Sequence, residues 1–241
     1  MFVTGTGTGV GKTQVAAMIA RALVAQGRKV GVYKPAASGC SRDAHGALTS
    51  DDAVALWEAS GRPGPLEKVC PQLFAAPLAP HLAARAEGRE LDLELLRLGL
   101  DYWRPRSDVI VVEGAGGLFS PLGDDLLNVD LALAWGFPLV VVAANKLGAI
   151  HATLATLHGA CHAASTAGHP SLHRPTFAAV VLNDVDGASD EISRATNAAQ
   201  VRHFAHSFRV NTVLEVGHRA DRFSEPVDWF KPAGQRKPIA T

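Results

Sequence analysis

A doubly wound α/β fold, with a mostly parallel sheet flanked by helices, is predicted by three features of the 241-residue chain. Continuous apolar runs recur at 108–112, 138–143 and 177–182, the pattern of strands buried on both faces. Stretches of helical character separate these runs, as strand–helix–strand units require. The composition, 47% hydrophobic and 19% charged, suits a packed core rather than a disordered chain.

Taken in order, residues 2–4 form a short apolar strand that runs into glycines and a helix over 12–26. Residues 29–33 read as a second strand, closed by Pro35 and a loop of small residues. A helix follows over 51–59, with Ser50 or Asp51 as its N-cap. The proline-rich stretch 61–80 reads as an excursion. Leucines at helical spacing (Leu91, Leu95, Leu98) predict a helix over 90–103. Helices over 129–135, 149–167 and 188–208 then alternate with the apolar strands, and 212–216 reads as the last strand. The expected organisation is one domain over 1–220 and an irregular, loose tail over 221–241, where prolines replace periodicity. In a sheet of this kind ligands sit at the carboxyl ends of the strands. Chemistry is therefore sought just after each strand.

Several function classes are excluded at this level. With 23 Lys+Arg against 23 Asp+Glu there is no electrostatic footprint for nucleic acid or an anionic membrane. No run approaches the roughly 18 apolar residues of a membrane span. The N-terminus lacks the basic and apolar regions of a secretory signal. Three widely spaced cysteines (Cys40, Cys70, Cys161) argue against a disulfide framework and for a reducing, cytoplasmic setting.

After the first strand comes Gly5-Thr6-Gly7-Thr8-Gly9-Val10-Gly11-Lys12-Thr13. A strand, a glycine-rich turn ending in Gly-Lys-Thr and a helix are the context of a phosphate-binding P-loop. Glycines let backbone N–H groups converge on phosphate oxygens, and the helix N-terminus adds a positive dipole. Lys12 is expected to reach the β- and γ-phosphates, and the Thr13 hydroxyl to bind Mg2+. The fold is thus of P-loop NTPase type, with a loop one residue longer than the usual spacing. Glu113, closing the strand at 109–113, is placed to supply the metal's carboxylate, and the small residues Gly114-Ala115-Gly116-Gly117 allow backbone to approach a ligand. Asp51 and Asp52 open a helix, where carboxylates commonly serve only as dipole partners. Lys34, after the second strand, could neutralise charge developing in phosphoryl transfer or simply be solvated, and Ser38 could donate to a substrate oxygen.

Together these motifs resemble dethiobiotin synthetases. The resemblance rests on residues 2–13, on Tyr33-Lys34-Pro35-Ala36-Ala37-Ser38-Gly39, and on Asp52-Ala53-Val54-Ala55-Leu56. It continues through Ala79-Pro80-His81, Val112-Glu113-Gly114-Ala115-Gly116-Gly117, Leu147-Gly148-Ala149-Ile150 and Leu182-Asn183-Asp184. It implies an ATP- and Mg2+-dependent homodimer acting on 7,8-diaminononanoate, CO2 and ATP. One amine takes up CO2, the carbamate attacks the γ-phosphorus, and the second amine captures the carbamic–phosphoric anhydride to close the ring. It also implies site roles. Lys12 and Lys34 are catalytic. ATP is held by Gly9, Val10, Gly11, Lys12, Thr13, Gln14, Asp52, Glu113, Gly114, Ala115, Gly116, Asn183 and Asp184, with Asn183 on the adenine edge. Thr13, Asp52 and Glu113 form the metal site, so the resemblance moves Asp52 from dipole partner to ligand. Thr8, Lys34, Ser38 and His151 face the diamine.

The chain departs from the family pattern at three places. Gly7 stands where aspartate is common, and His151-Ala152 replaces an asparagine–histidine pair. The stretch 213–218 lacks the family's glycine-to-proline turn against the adenine. Other readings stay open: a switch or partitioning ATPase, which usually carries a lysine at the position of Gly7, and a ligase for another carboxylate or amine. A GTPase reading from Asn145-Lys146 founders on glycine at 148, where guanine readout needs aspartate. His158 and His162 share a helix face, but no glutamate accompanies them as a zinc-protease pattern requires.

Overall fold

The protein is described from a computed structural model, over residues 1–166, 175–187 and 191–233. Its elements in chain order are β1 (Phe2–Gly5), α1 (Lys12–Ala25), β2 (Val30–Tyr33), β3 (Ser41–Arg42), β4 (Leu48–Thr49) and α2 (Asp51–Ala59). The short helices α3 (Leu66–Val69), α4 (Pro80–Ala86) and α5 (Leu93–Leu98) follow, and then β5 (Val109–Glu113), β6 (Pro121–Gly123) and β7 (Leu126–Leu127). The remainder is α6 (Asn128–Trp135), β8 (Leu139–Ala144), α7 (Ala149–Thr166), β9 (Phe177–Asn183), α8 (Glu191–Ala205), β10 (Val213–Val216) and α9 (Phe230–Ala233).

Six strands make one parallel sheet in the order β10-β9-β8-β1-β5-β2. The apolar runs became its central strands because both of their faces are covered. Val140 and Val142 of β8 and Ala179 and Val181 of β9 join the core cluster that contains α1. Their neighbours Val141, Ala143, Val180 and Leu182 face the cluster built with α7 and α8. This two-residue alternation is the pleat of a strand packed between two helical layers. Strand β1 lies between β5 and β8, so the chain's progress across the sheet reverses beside it, which opens a crevice there.

The predicted helix over 51–59 is observed, and Ser50 is its cap, accepting from the Ala53 N–H at 3.3 Å. The predicted helix over 90–103 divides. α5 starts after Asp92, whose side chain accepts from the Leu95 N–H at 2.8 Å, and gives way to a 3-10 turn at Gly99–Tyr102. Tyr33 presses on that junction: a Cβ at Gly99 would lie 2.3 Å from its hydroxyl, which donates to the carbonyls of Leu95 and Leu96. The excursion 61–80 contains α3 and the start of α4, and it pins the loop after β2. Lys34 N–H donates to Val69 O at 2.7 Å, Ala37 N–H to Gln72 O at 2.9 Å, and Cys40 N–H to Phe74 O at 3.0 Å. Of the helices predicted over 149–167 and 188–208, Ala167 and residues 188–190 lie outside the described residues. Helix α8 is observed from Glu191, and a 3-10 turn at His206–Phe208 ends that stretch.

Over 221–233 the chain carries little regular structure before α9, yet it is tied down by contacts. It forms a strap along α1. Arg21 donates to Asp221 O, Gln26 Nε2 donates to Val227 O at 3.1 Å, and the Arg28 guanidinium stacks over the Phe230 ring at 3.8 Å. Trp229 is fully buried, with Phe223 5.1 Å away between ring centroids. One aromatic anchor substitutes for the missing periodicity. Residues 234–241 of the predicted tail lie outside the described residues. No helix among the described residues is long and apolar enough to cross a membrane. Replacing Trp229 by alanine is expected to cost about 3–5 kcal/mol of stability, as for other buried aromatics, read as a lower midpoint in denaturant titrations.

Candidate functional site

The sequence-predicted residues gather at the carboxyl edge of the sheet, around the turn between β1 and α1. Gly11 adopts φ +83°, and a Cβ there would lie 2.0 Å from Asn183 Nδ2, so only glycine fits. The loop is packed from β9 by Asn183, whose Nδ2 donates to Val10 O at 3.2 Å. From the other side it is packed by the turn after β5, with Leu118 N–H donating to Gly5 O at 3.0 Å. A Cβ at Gly117 would come within 3.2 Å of both Gly5 O and the Gly7 Cα. A Cβ at Gly7 would meet nothing within 4 Å.

Lys12 folds back over the loop, its Nζ 3.4 Å from Gly7 O, and is 8% exposed. Burial holds its pKa below the ordinary lysine value, with the Glu113 carboxylate opposing that effect. Beside it lies a polar ring, buried at Lys34 and Glu113 and half-buried at Thr13 and Asp52. Thr13 Oγ1 donates to Glu113 Oε1 at 2.8 Å. Lys34 Nζ donates to that same Oε1 at 2.8 Å and to Asp52 Oδ2 at 2.7 Å. Lys34 is 4% exposed and Glu113 1%. Burial acts to lower the Lys34 pKa, but the Glu113 and Asp52 carboxylates outweigh it and raise the pKa, so the ammonium stays charged. Burial likewise acts to raise the Asp52 pKa, yet Lys34 holds that carboxyl below its usual range.

Glu113 Oε2 is buried and has no hydrogen-bond partner. Together with Thr13 and Asp52 it offers the hydroxyl and carboxylate oxygens that Mg2+ takes, alongside phosphate oxygens and water. Among the described residues no group of three or more His, Cys, Asp or Glu gathers as a ready-made cage. Two carboxylates and a hydroxyl are nevertheless the set this hard cation uses when a nucleotide completes its shell.

Gln14 and Asn183 sit against the loop, with Asn183 Nδ2 donating to Gln14 Oε1 at 3.1 Å. Gly114, Ala115 and Gly116 line the turn after β5. Ser38 is half-buried in the pinned loop after β2, while Thr8 and His151 are exposed, Thr8 in the P-loop and His151 in the first turn of α7. Asp184 is engaged within the protein: its carboxylate accepts from the Gly187 N–H at 3.0 Å and pairs with Arg194. Asn145 is likewise occupied, its Oδ1 accepting from Asn197 Nδ2 at 2.9 Å. Burial pushes the Cys70 thiol up to about 12 and raises Cys40 as well, which keeps both protonated at neutral pH. His158 packs edge-on against Phe208 at 4.6 Å.

Sequence reasoning missed Asn128, which builds the turn after β5. Its Oδ1 accepts from the Ala115 N–H at 3.1 Å, and its Nδ2 faces Ala115 O at 2.7 Å, Ser120 O at 3.0 Å and Gly117 O at 3.2 Å. Ser120 Oγ adds a bond from the Gly117 N–H at 2.8 Å. The only trace in the sequence is one amide between Leu127 and Val129, with aspartates on either side that draw the eye no less.

Comparison with known proteins gives the same picture. A family model described as an AAA domain matches residues 1–221. The ATP-dependent dethiobiotin synthetase BioD of Rhodopirellula baltica is 44% identical over 235 residues, covering 93% of this chain and 88% of that protein. The enzyme of the same name from Anaeromyxobacter dehalogenans is 44% identical over 206 residues, covering 86% and 85%. Among solved structures, pNOB8 ParA has a TM-score of 0.52 at 14% identity, covering 95% of this chain and 77% of that one. Apo McdA from Cyanothece has a TM-score of 0.51 at 15% identity, covering 90% and 84%. At such low identity these two share the fold alone. With the P-loop, the carboxylate–lysine ring and relatives matched along most of its length, the chain belongs to the dethiobiotin synthetase family of ATP-dependent enzymes.

Proposed function

We propose that this protein closes the ureido ring of dethiobiotin from 7,8-diaminononanoate, CO2 and ATP, a step of biotin synthesis. The observation that carries the reading is Lys34, a buried ammonium 2.8 Å from Glu113 and 2.7 Å from Asp52, directly beside the P-loop helix. A cation held there by two carboxylates meets the charge of a carbamate arriving at the γ-phosphate.

In this reading the backbone of Gly9 to Thr13 cradles the phosphates at the positive end of α1, and Lys12 follows the transferred phosphoryl group. Thr13, Asp52 and Glu113 would hold Mg2+, which when bound would neutralise charge on the phosphate oxygens. Lys34 orients the carbamate formed from one amine and CO2. A carbamate oxygen attacks the γ-phosphorus and ADP leaves. The second amine then attacks the carbonyl carbon, and phosphate departs with loss of the amine proton. The protein's work is positioning and charge neutralisation, since neither step requires a covalent enzyme intermediate. Ser38 and Thr8 flank the diamine. His151, exposed at the start of α7, takes the diamine's carboxylate end across a homodimer interface. A cytoplasmic setting is part of the same reading. Gly7 speaks against a switch ATPase, since it lacks the lysine those proteins usually present at that position.

The decisive test is phosphate release from MgATP and bicarbonate, with and without 7,8-diaminononanoate. Release is expected only with the diamine and in equal amount to the dethiobiotin formed; release indifferent to the diamine would reject the ligase reading. Lys34→Ala is expected to lower kcat by about 10²–10³-fold, the usual scale for losing a group that stabilises developing charge. A change confined to the KM for the diamine would contradict that role. Glu113→Gln should raise the Mg2+ concentration for half-maximal activity by about 10- to 100-fold, and an unaltered metal titration would remove Glu113 from the ligand set.

A further inference from the structure

Two side-chain amides and two backbone carbonyls form a chain of hydrogen bonds whose direction is fixed. Gln14 Nε2 donates to Ala220 O at 2.8 Å. A carbonyl only accepts, so the Gln14 nitrogen faces the strap and its Oε1 faces the other way. There Oε1 accepts from Asn183 Nδ2 at 3.1 Å, and the same nitrogen donates to Val10 O at 3.2 Å. Two acceptors thus claim the Asn183 nitrogen, which leaves Oδ1 as the free end of the chain. That oxygen is buried without a hydrogen-bond partner, on a side chain 0% exposed. A buried acceptor with no donor is costly, and contact with a donating ligand removes the cost.

We propose that Gln14 is a positioning residue for nucleotide selection: it locks the Asn183 amide so that the nucleotide base meets an acceptor and never a donor. The inference rests on the ATP-dependent reading above, in which Asn183 faces the base. A base with an exocyclic amino group satisfies Oδ1. A base with a carbonyl at that position sets oxygen against oxygen. Rotating the Asn183 amide to relieve that clash would turn its oxygen toward both Gln14 Oε1 and Val10 O. The lock sits on the phosphate loop itself, since a Cβ at Gly11 would lie 2.0 Å from Asn183 Nδ2 and 3.4 Å from Gln14 Oε1.

The test compares the affinities of ATP and inosine triphosphate, its 6-oxo counterpart, by calorimetry with Mg2+. The unaltered protein is expected to bind ATP at least about tenfold more tightly, the scale of one buried hydrogen bond. In Gln14→Leu that ratio should fall to about threefold or less. Gln14→Glu keeps an acceptor toward Asn183 while losing the donor to Ala220 O, and it should retain the ratio. General damage to the site lowers both affinities together and leaves the ratio untouched. Gln14→Met serves the same comparison if the leucine variant does not fold. No ATP preference in the unaltered protein, an unchanged ratio without the Gln14 acceptor, or a ratio lost equally in Gln14→Glu would overturn the proposal. Because binding is measured without the diamine, failure of ring closure in the earlier assay would leave this result readable.

Discussion

The arrangement turns on one buried ammonium. Lys34 Nζ touches carboxylates from α2 and from the end of β5, and Glu113 is bonded in turn to Thr13 at the start of α1. Four pieces of chain therefore converge on a few polar atoms. Such a cluster is weak evidence for stability, because desolvating the charges offsets most of their attraction. Its consequence is geometric. Removing Lys34 or Glu113 would strand its buried partner's charge, so the two are held where they are. The excursion between α2 and α4 serves the same end, since its backbone pins the loop that carries Lys34.

Sheet topology then separates the two ends of the site. Asn183 closes β9, Glu113 closes β5 and Lys34 follows β2, while β1 and its glycine-rich turn lie between them. Every strand in this sheet is parallel, so each contributes its carboxyl end to one edge. From β9 to β2 is four strand spacings, about 19 Å at roughly 4.8 Å each. The crevice thus has two different walls, one built of amides and one of charge.

The long strands were legible because both faces are buried, which leaves a continuous apolar run. The P-loop was legible because its spacing and its strand–helix context are written locally. Two-residue strands such as β3 and β7 carry no period and could not be read. Gly99 shows another limit: the leucine spacing continues through it, but the close approach of Tyr33 that breaks the helix comes from 66 positions earlier. Asp52 could be read as a dipole partner or a ligand, and its contact with Lys34, from a loop 18 positions earlier, was not legible at all. Asn128 was invisible for a related reason, since its partners are backbone groups that leave no residue signature. Trp229 stood in plain view, but an aromatic residue in a stretch without periodicity says nothing of where it docks.

The strap carries a consequence for how the protein is made. Gln14 and Ala220 are 206 positions apart, and Arg21 and Asp221 are 200 apart. Contacts so distant in sequence close late in folding. At a synthesis rate of about 5–20 residues per second, helix α1 waits roughly 10–40 s for the segment that covers it. Until then its outer face is bare and the amide chain at the phosphate loop is incomplete. The phosphate loop is thus synthesised some 200 residues before the segment that completes its surroundings.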